Sequence, residues 1–278
     1  MRARLFATVL LLTIICLALP AEARRRRAPQ RATQPATIYV AGEKFPVPAP
    51  DAPRVLLIGD SNFFGPLGHT LRRAFAQRAY HVQVRGKPSS GLARPEFFDW
   101  FAESERLIDE FHPDLVVVML GANDTQRITW PSLDDRIQWR NETPWRRAYE
   151  GRYRQFARFL SERVPEVVLL SPTNRGWRSA RDAVTRVREV QQRAVRGLTN
   201  VHWIDMFPLS SNADGSWLCF ADAPVVSDGK GVKDGKHTKR IWYRRPDRIH
   251  LTKEGGKLVG TRLMQSLSEL DLRTARVH

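Results

Sequence analysis

Five short apolar runs rich in Val, Ile and Leu, at residues 55–59, 81–85, 115–120, 167–170 and 201–206, are separated by stretches with a different period. Near-continuous apolar runs of this length suit strands covered on both faces, hence a parallel sheet; a strand with one wet face would alternate. In the intervening stretches, apolar residues recur three or four apart. Trp145, Tyr149, Tyr153, Phe156, Leu160 and Val164 form one stripe, with Arg146, Arg147, Arg154 and Arg158 off it. Leu67, Leu71 and Phe75 follow the first run in the same way, as do Val259, Leu263, Leu267 and Leu270 near the end. Strands alternating with helices imply right-handed crossovers. The expected fold class is therefore α/β, a three-layer α/β/α sandwich around a mostly parallel five-stranded sheet, spanning residues 54–278 without internal repeat. In such folds ligands gather at the carboxyl ends of the strands, which says where to look for chemistry.

The first 23 residues stand apart. Arg2 and Arg4 precede an apolar run at 5–19, and Ala21-Glu22-Ala23 supplies the small-x-small pattern of a signal-peptidase site. The run is short for a membrane span of roughly 20 residues. A cleaved secretory signal, and so a periplasmic or secreted protein, is the expectation. Arg24, Arg25, Arg26 and Arg27 would place positive charge directly after the cut, where it opposes export, so an uncleaved membrane anchor is the alternative. Residues 24–53, rich in Arg, Ala, Gln, Thr and Pro, read as a flexible tether with no core of its own.

Charge and cysteine content narrow the partners. Lys and Arg number 45 against 29 Asp and Glu, a formal net charge of +16. This suits an anionic partner and equally a solvated Arg-rich surface, because no basic run in the folded part is long enough to mark a site. Nucleic acid is not expected, since no recognisable module is present and export argues against it. With Cys16 and Cys219 alone, neither a disulfide framework nor a Cys-based metal site can be built. The seven His show no ligand spacing, so neither metal nor cofactor is expected.

Three blocks carry chemistry. The first apolar run ends in Ile58-Gly59-Asp60-Ser61-Asn62, the third in Gly121-Ala122-Asn123-Asp124, and Asp247-Arg248-Ile249-His250 stands just before the last helical stretch. Each block alone is weak. Their joint occurrence in this order, two of them at strand ends, has a chance probability on the order of one in several thousand at average residue frequencies. These residues resemble the SGNH (GDSL) hydrolase family over nearly all of the folded region. Gly59-Asp60-Ser61 resembles its nucleophile block, Gly91 in Ser89-Ser90-Gly91-Leu92 its glycine block, Gly121-Ala122-Asn123-Asp124 its asparagine block, and Asp247 with His250 its acid and base block. The resemblance implies an α/β/α sandwich with a flavodoxin-like sheet. Within the family, the chain is most similar to secreted bacterial members acting on acylated envelope polysaccharides.

The residue types fit that chemistry. A Ser hydroxyl needs a neighbouring base to become a nucleophile, and Ser61 lies where a strand turns into a helix, whose N-terminus would favour developing negative charge. Its competing role is a helix cap. His250 is the expected base, with Asp247 or a backbone carbonyl orienting the imidazole, and Thr252 the cap of the last helix. His237, among Lys230, Lys233, Lys236 and Lys239, is the rival base. Asn123, with the backbone N–H groups of Ser61 and Gly91, would form the oxyanion hole; Gly86 competes with Gly91, and Asn123 has a competing role as a loop residue bonded to its own backbone. Asp60, Asn62, Asp124, Trp130 and Trp242 are the expected substrate contacts, the two Trp lying in long stretches at 125–144 and 210–246. Exposed aromatics beside cations suit a carbohydrate with anionic groups. The expected function is an extracytoplasmic serine carboxylester hydrolase removing a small acyl group, acetyl first, from an envelope polysaccharide. The alternatives are a polysaccharide O-acyltransferase and a non-catalytic basic module that binds an anionic envelope polymer.

Overall fold

The structure, a computed structural model, describes residues 37–40, 43–130, 136–224 and 238–270. The expected signal segment at 1–23 lies outside these residues, as do His237, Lys230, Lys233 and Lys236.

The described chain begins with an antiparallel hairpin of β1 (Thr37–Val40) and β2 (Glu43–Pro46). The α/β alternation follows: β3 (Arg54–Gly59), α1 (Ser61–Phe64), α2 (Pro66–Ala76), β4 (His81–Gly86), α3 (Trp100–Phe111), β5 (Leu115–Met119), α4 (Glu142–Ser161), β6 (Glu166–Leu170), α5 (Arg178–Ala194) and β7 (Val201–Ile204). A short α6 (Met206–Leu209), a hairpin of β8 (Phe220–Pro224) with β9 (Thr238–Trp242), and α7 (Lys253–Ser268) complete it. The central sheet has the order β4-β3-β5-β6-β7, every neighbouring pair parallel. The expected three-layer α/β fold with five parallel strands is thus the observed one.

The continuous apolar runs divide between two layers by their period of two. Leu56, Ile58, Val116, Val118, Val167 and Leu169 face α3, α4 and α5, through Trp100, Tyr149, Tyr153, Phe156, Val187 and Val190 among others. Val55, Leu57, Leu115, Val117, Val168 and Leu170 face α2 and α7, through Leu67, Leu71, Phe75, Val259, Leu263 and Leu267. Val55, Leu56, Leu57 and Ile58 are wholly buried, as a strand flanked on both edges and covered on both faces must be. Because β4 lies on one side of β3 and β5 on the other, the strand order reverses there. The crevice outside the carboxyl ends of β3 and β5 is the topological switch point.

Three local expectations change. Residues 24–53 contain the β1–β2 hairpin; Phe45, Pro46 and Pro48 face α2 across a hollow, and Glu43 pairs with Arg73 at 2.8 Å. The helix after β3 is broken at Gly65, so α1 has only four residues and α2 restarts with Pro66 at its first turn. Met206 opens α6 rather than closing β7, because the Asp205 carboxylate accepts from the Phe207 N–H and caps that turn.

Gly86 sets how closely α1 rests on β4: a Cβ there would lie 2.6 Å from the Phe64 nitrogen and 2.8 Å from its Cα. Gly86→Ala must push α1 off the strand, at a cost of about 1–3 kcal/mol. Urea unfolding measures this, and an unchanged midpoint would show that α1 does not press on the sheet.

Candidate active site

The end of β3 presents Ser61. Asp60 is wholly buried, and its Oδ1 accepts from the Asn62 N–H at 2.9 Å and the Asn62 amide at 3.0 Å. Asp60 therefore caps α1, and the hydroxyl of Ser61 does not. That hydroxyl lies 3.0 Å from His250 Nε2. The expected help from a helix dipole at Ser61 is small, because a helix of four residues aligns few peptide groups.

The turn before α7 presents the other two groups. His250 Nδ1 lies 2.8 Å from Asp247 Oδ2, while Asp247 Oδ1 accepts from the N–H groups of Ile249 and His250 at 2.8 and 2.9 Å. Arg248, between them, has φ of +57°, the left-handed conformation that curls the turn back on itself. Burial pushes the Asp247 carboxyl up, but its bonds to His250 and to the two N–H groups outweigh this and hold it at about 2. An ionised Asp247 accepts only, so Nδ1 carries the proton and the Nε2 lone pair faces Ser61. Thr252 caps α7 as expected, accepting from the Gly255 N–H at 3.0 Å.

The sequence did not point to what holds this turn. Arg244 is buried and donates to the Ile249 carbonyl at 2.7 Å, the Asn174 carbonyl at 2.9 Å and Thr173 Oγ1 at 3.3 Å. It thereby ties the His250 turn to the chain leaving β6. Burial, with the nearby charge of Arg175, draws the Arg244 guanidinium down to about 10, still cationic at neutral pH. Arg175 donates to the Ala122 carbonyl at 2.9 Å, and its charge favours the ionised form of Asp60, whose carboxyl burial raises. Its position after β6, at the carboxyl edge, is the signal that could have found it.

The chain after β5 supplies Asn123. Its amide donates to the Ser90 carbonyl at 2.9 Å, with Asp60 Oδ2 at 3.5 Å, the outer limit of a bond. The same contact fixes the Ser90–Gly91 peptide beside Asn123. Gly91 cannot carry a side chain, since a Cβ would meet Asp124 Oδ1 at 2.1 Å. Among the described residues, no acceptor takes the backbone N–H of Ser61 or of Gly91. Gly86, the competing glycine, lies instead in β4 against Phe64.

Several expected substrate contacts serve elsewhere. Asp124 is wholly buried, accepting from the Ala93 N–H at 2.8 Å and the Tyr149 hydroxyl at 2.7 Å; like Asp60, it has no surface to offer a substrate. Trp130 packs on the core, with the Arg152 guanidinium 5.4 Å from its ring centre, and does not line the cleft at Ser61. Trp242 is half exposed and paired with Phe220 at 5.2 Å between ring centres. Asn62 does line the cleft, a cavity of about 260 Å³ bounded also by Ser61, His250, Phe64, Leu67, Arg245 and Leu251. Among the described residues, no group of three His, Cys, Asp or Glu side chains is arranged to hold a metal ion.

No curated protein matches the chain. A catalytic mutant of an acetylxylan esterase from Geobacillus stearothermophilus is similar over 77% of this chain and 94% of its own, at 15% identity and a TM-score of 0.49. A GDSL-like lipase from Bacteroides thetaiotaomicron is similar over 80% and 91%, at 16% identity and a TM-score of 0.49. An alpha/beta hydrolase enzyme from the metagenome of Lake Arreo, Spain, is similar over 77% and 95%, at 15% identity and a TM-score of 0.48. The model of the family described as "Protein of unknown function (DUF459)" matches residues 54–266, which take in every strand of the central sheet and every block of the site, and the chain belongs to that family.

Proposed function

We propose that the protein is an extracytoplasmic serine carboxylester hydrolase that removes a small acyl group, acetyl first, from an envelope polysaccharide. One observation carries the reading: an unbroken relay of 2.8 Å from Asp247 to His250 and 3.0 Å from His250 to Ser61.

In the first half-reaction His250 Nε2 takes the hydroxyl proton as Ser61 Oγ attacks the ester carbonyl carbon. The carbonyl π bond opens and its electron pair moves to oxygen. Asp247 holds the imidazole by Nδ1–H and stabilises the imidazolium, remaining ionised itself. The N–H groups of Ser61 and Gly91, with the Asn123 amide, receive the oxyanion, each donor contributing about 3 kcal/mol to lowering the barrier. When the carbonyl re-forms, the C–O bond to the sugar breaks and His250 returns the proton to the leaving alcohol. Water then repeats the sequence on the acyl-serine, releasing the acid and restoring Ser61.

The cleft of about 260 Å³, walled by Phe64, Leu67 and Leu251, suits a small apolar acyl group rather than a long chain. The side chains of His250 and Asp247 are 36% and 43% exposed, so water reaches the base, which favours hydrolysis over transfer to a second sugar. Export rests on the charged, apolar and small-x-small pattern of residues 1–23, and the polysaccharide substrate on the resemblance of the motif blocks to SGNH hydrolases.

Ser61→Ala and His250→Ala should each abolish hydrolysis of a short-chain ester while leaving the far-ultraviolet spectrum unchanged. An organophosphorus probe should label Ser61, and activity should fall steeply from acetyl to longer acyl esters. Undiminished turnover in either variant rejects the mechanism. The pH dependence follows from Asp247: because its carboxyl is held at about 2, the acid limb of the rate profile should show no carboxylate step near the ordinary value of about 4. Asp247→Asn should lower kcat by about 10²–10⁴ by favouring the wrong tautomer; full activity in that variant would remove Asp247 from the relay.

A further inference from the structure

We infer that the groove between α2 and α7 is the track for an anionic stretch of the substrate, a polysaccharide whose units beside the acylated one carry carboxylates or comparable anionic groups. The inference rests on the hydrolase reading for its substrate class and on separate observations for its place.

The groove adjoins the reaction cleft, since Pro66 lines both, and at about 520 Å³ it has twice the volume of the cleft. Its walls are His69, Thr70 and Arg73 on α2 and Lys253, Lys257 and Thr261 on α7, with no carboxylate among the lining residues. Lys253, Lys257 and Thr261 recur every four positions and so share one face of α7, which begins three residues beyond His250. At 1.5 Å rise per residue, the two ammonium groups are rooted about 6 Å apart along the helix. Arg245 stands at the head of the series, in the wall of the reaction cleft.

The charges here are largely uncompensated. Arg73 is paired with Glu43, but no ion pair to a carboxylate is formed by Lys253, Lys257 or Arg245 among the described residues. Several arginines of α4 and α5 differ in this respect: Arg146, Arg186 and Arg193 are all paired, with Glu142, Glu189 or Glu150. A row of free cations leading away from the nucleophile selects a ligand with repeated negative charge. The hydroxyls of Thr70 and Thr261 donate to the Pro66 and Lys257 carbonyls, each at 2.9 Å, which leaves their oxygens to accept from the hydroxyl groups of a sugar chain. Exposed cations of this kind act over about 10 Å at 0.1 M salt, so the attraction weakens as salt rises.

The test uses the full chain bearing Ser61→Ala, which binds without turnover, and calorimetric titration with an oligogalacturonate, a neutral xylo-oligosaccharide of equal length, and an inorganic polyphosphate. The oligogalacturonate should bind about tenfold or more tighter than the neutral oligomer, with affinity falling as sodium chloride is raised. Adding Lys253→Gln with Lys257→Gln should remove most of that preference, whereas Arg147→Gln with Arg158→Gln, two exposed cations of α4, should leave it intact. Equal affinity for charged and neutral oligomers, or an unaltered preference in the Lys253 and Lys257 variant, would overturn the assignment. Tighter binding of polyphosphate than of the uronate would overturn its carbohydrate part. Since no step of this measurement needs ester cleavage, the groove can fail while the hydrolase reading stands, and the reverse.

Discussion

Two buried carboxylates hold the edge of the sheet together. A charged group out of water is expensive unless the surrounding chain bonds to it, so each dictates the path of the loops around it. Asp60, after β3, draws in the backbone N–H and the side-chain amide of Asn62 and stands near the Asn123 amide; Asp124, after β5, draws in Ala93 and Tyr149. Between them these acids bring three remote loops to one place. Neither has exposed surface, and burial raises the pKa of both. Their role is to place the groups that face the cleft.

A cation completes the frame on the other side. Among the described residues Arg244 has no carboxylate partner, and it bonds to carbonyl and hydroxyl oxygens of two separate segments. A guanidinium suits this work because its donors form a rigid planar fork that reaches several acceptors at once. The positive charge also lies on the side of Asp247, favouring the ionised carboxylate that the relay requires. The sheet, the two acids and this arginine thus form one support, and Ser61, His250 and Asp247, the side chains of the proposed relay, stand at its edge where solvent reaches them.

Much of this was legible in the sequence because burial on both faces leaves its mark on neighbouring residues. Continuous apolar runs located the three inner strands β3, β5 and β6, shorter Val-containing stretches the two edge strands, and the blocks at Ser61, Asn123 and His250 fell where strands end or the last helix begins. The break at Gly65-Pro66 carried a turn signal that outweighs the helical period around it. Other features depend on pairings between distant positions. Arg244 is one arginine in a chain rich in them, and only contact with Thr173 and Asn174 distinguishes it from a solvated one. Asp124 stands at the right strand end for a substrate contact, yet Ala93 and Tyr149 close over it. Trp130 lies in a long stretch after β5, where sequence alone does not separate a ring that anchors its loop beneath Arg152 from one that meets a ligand. The β1–β2 hairpin is too short, and too close to prolines, to show a period.

The Asp247–His250 turn is a superficial element, curled through one left-handed residue and fastened by the Arg244 side chain together with backbone bonds to Arg245 and Gly176, and none of its residues belongs to either apolar layer. Rearranging it would leave the sheet and its helices undisturbed. On the proposed reading the chemistry is therefore carried by a part of the molecule that lies outside both apolar layers, so a lineage could abandon catalysis in a few steps and still inherit the three-layer scaffold.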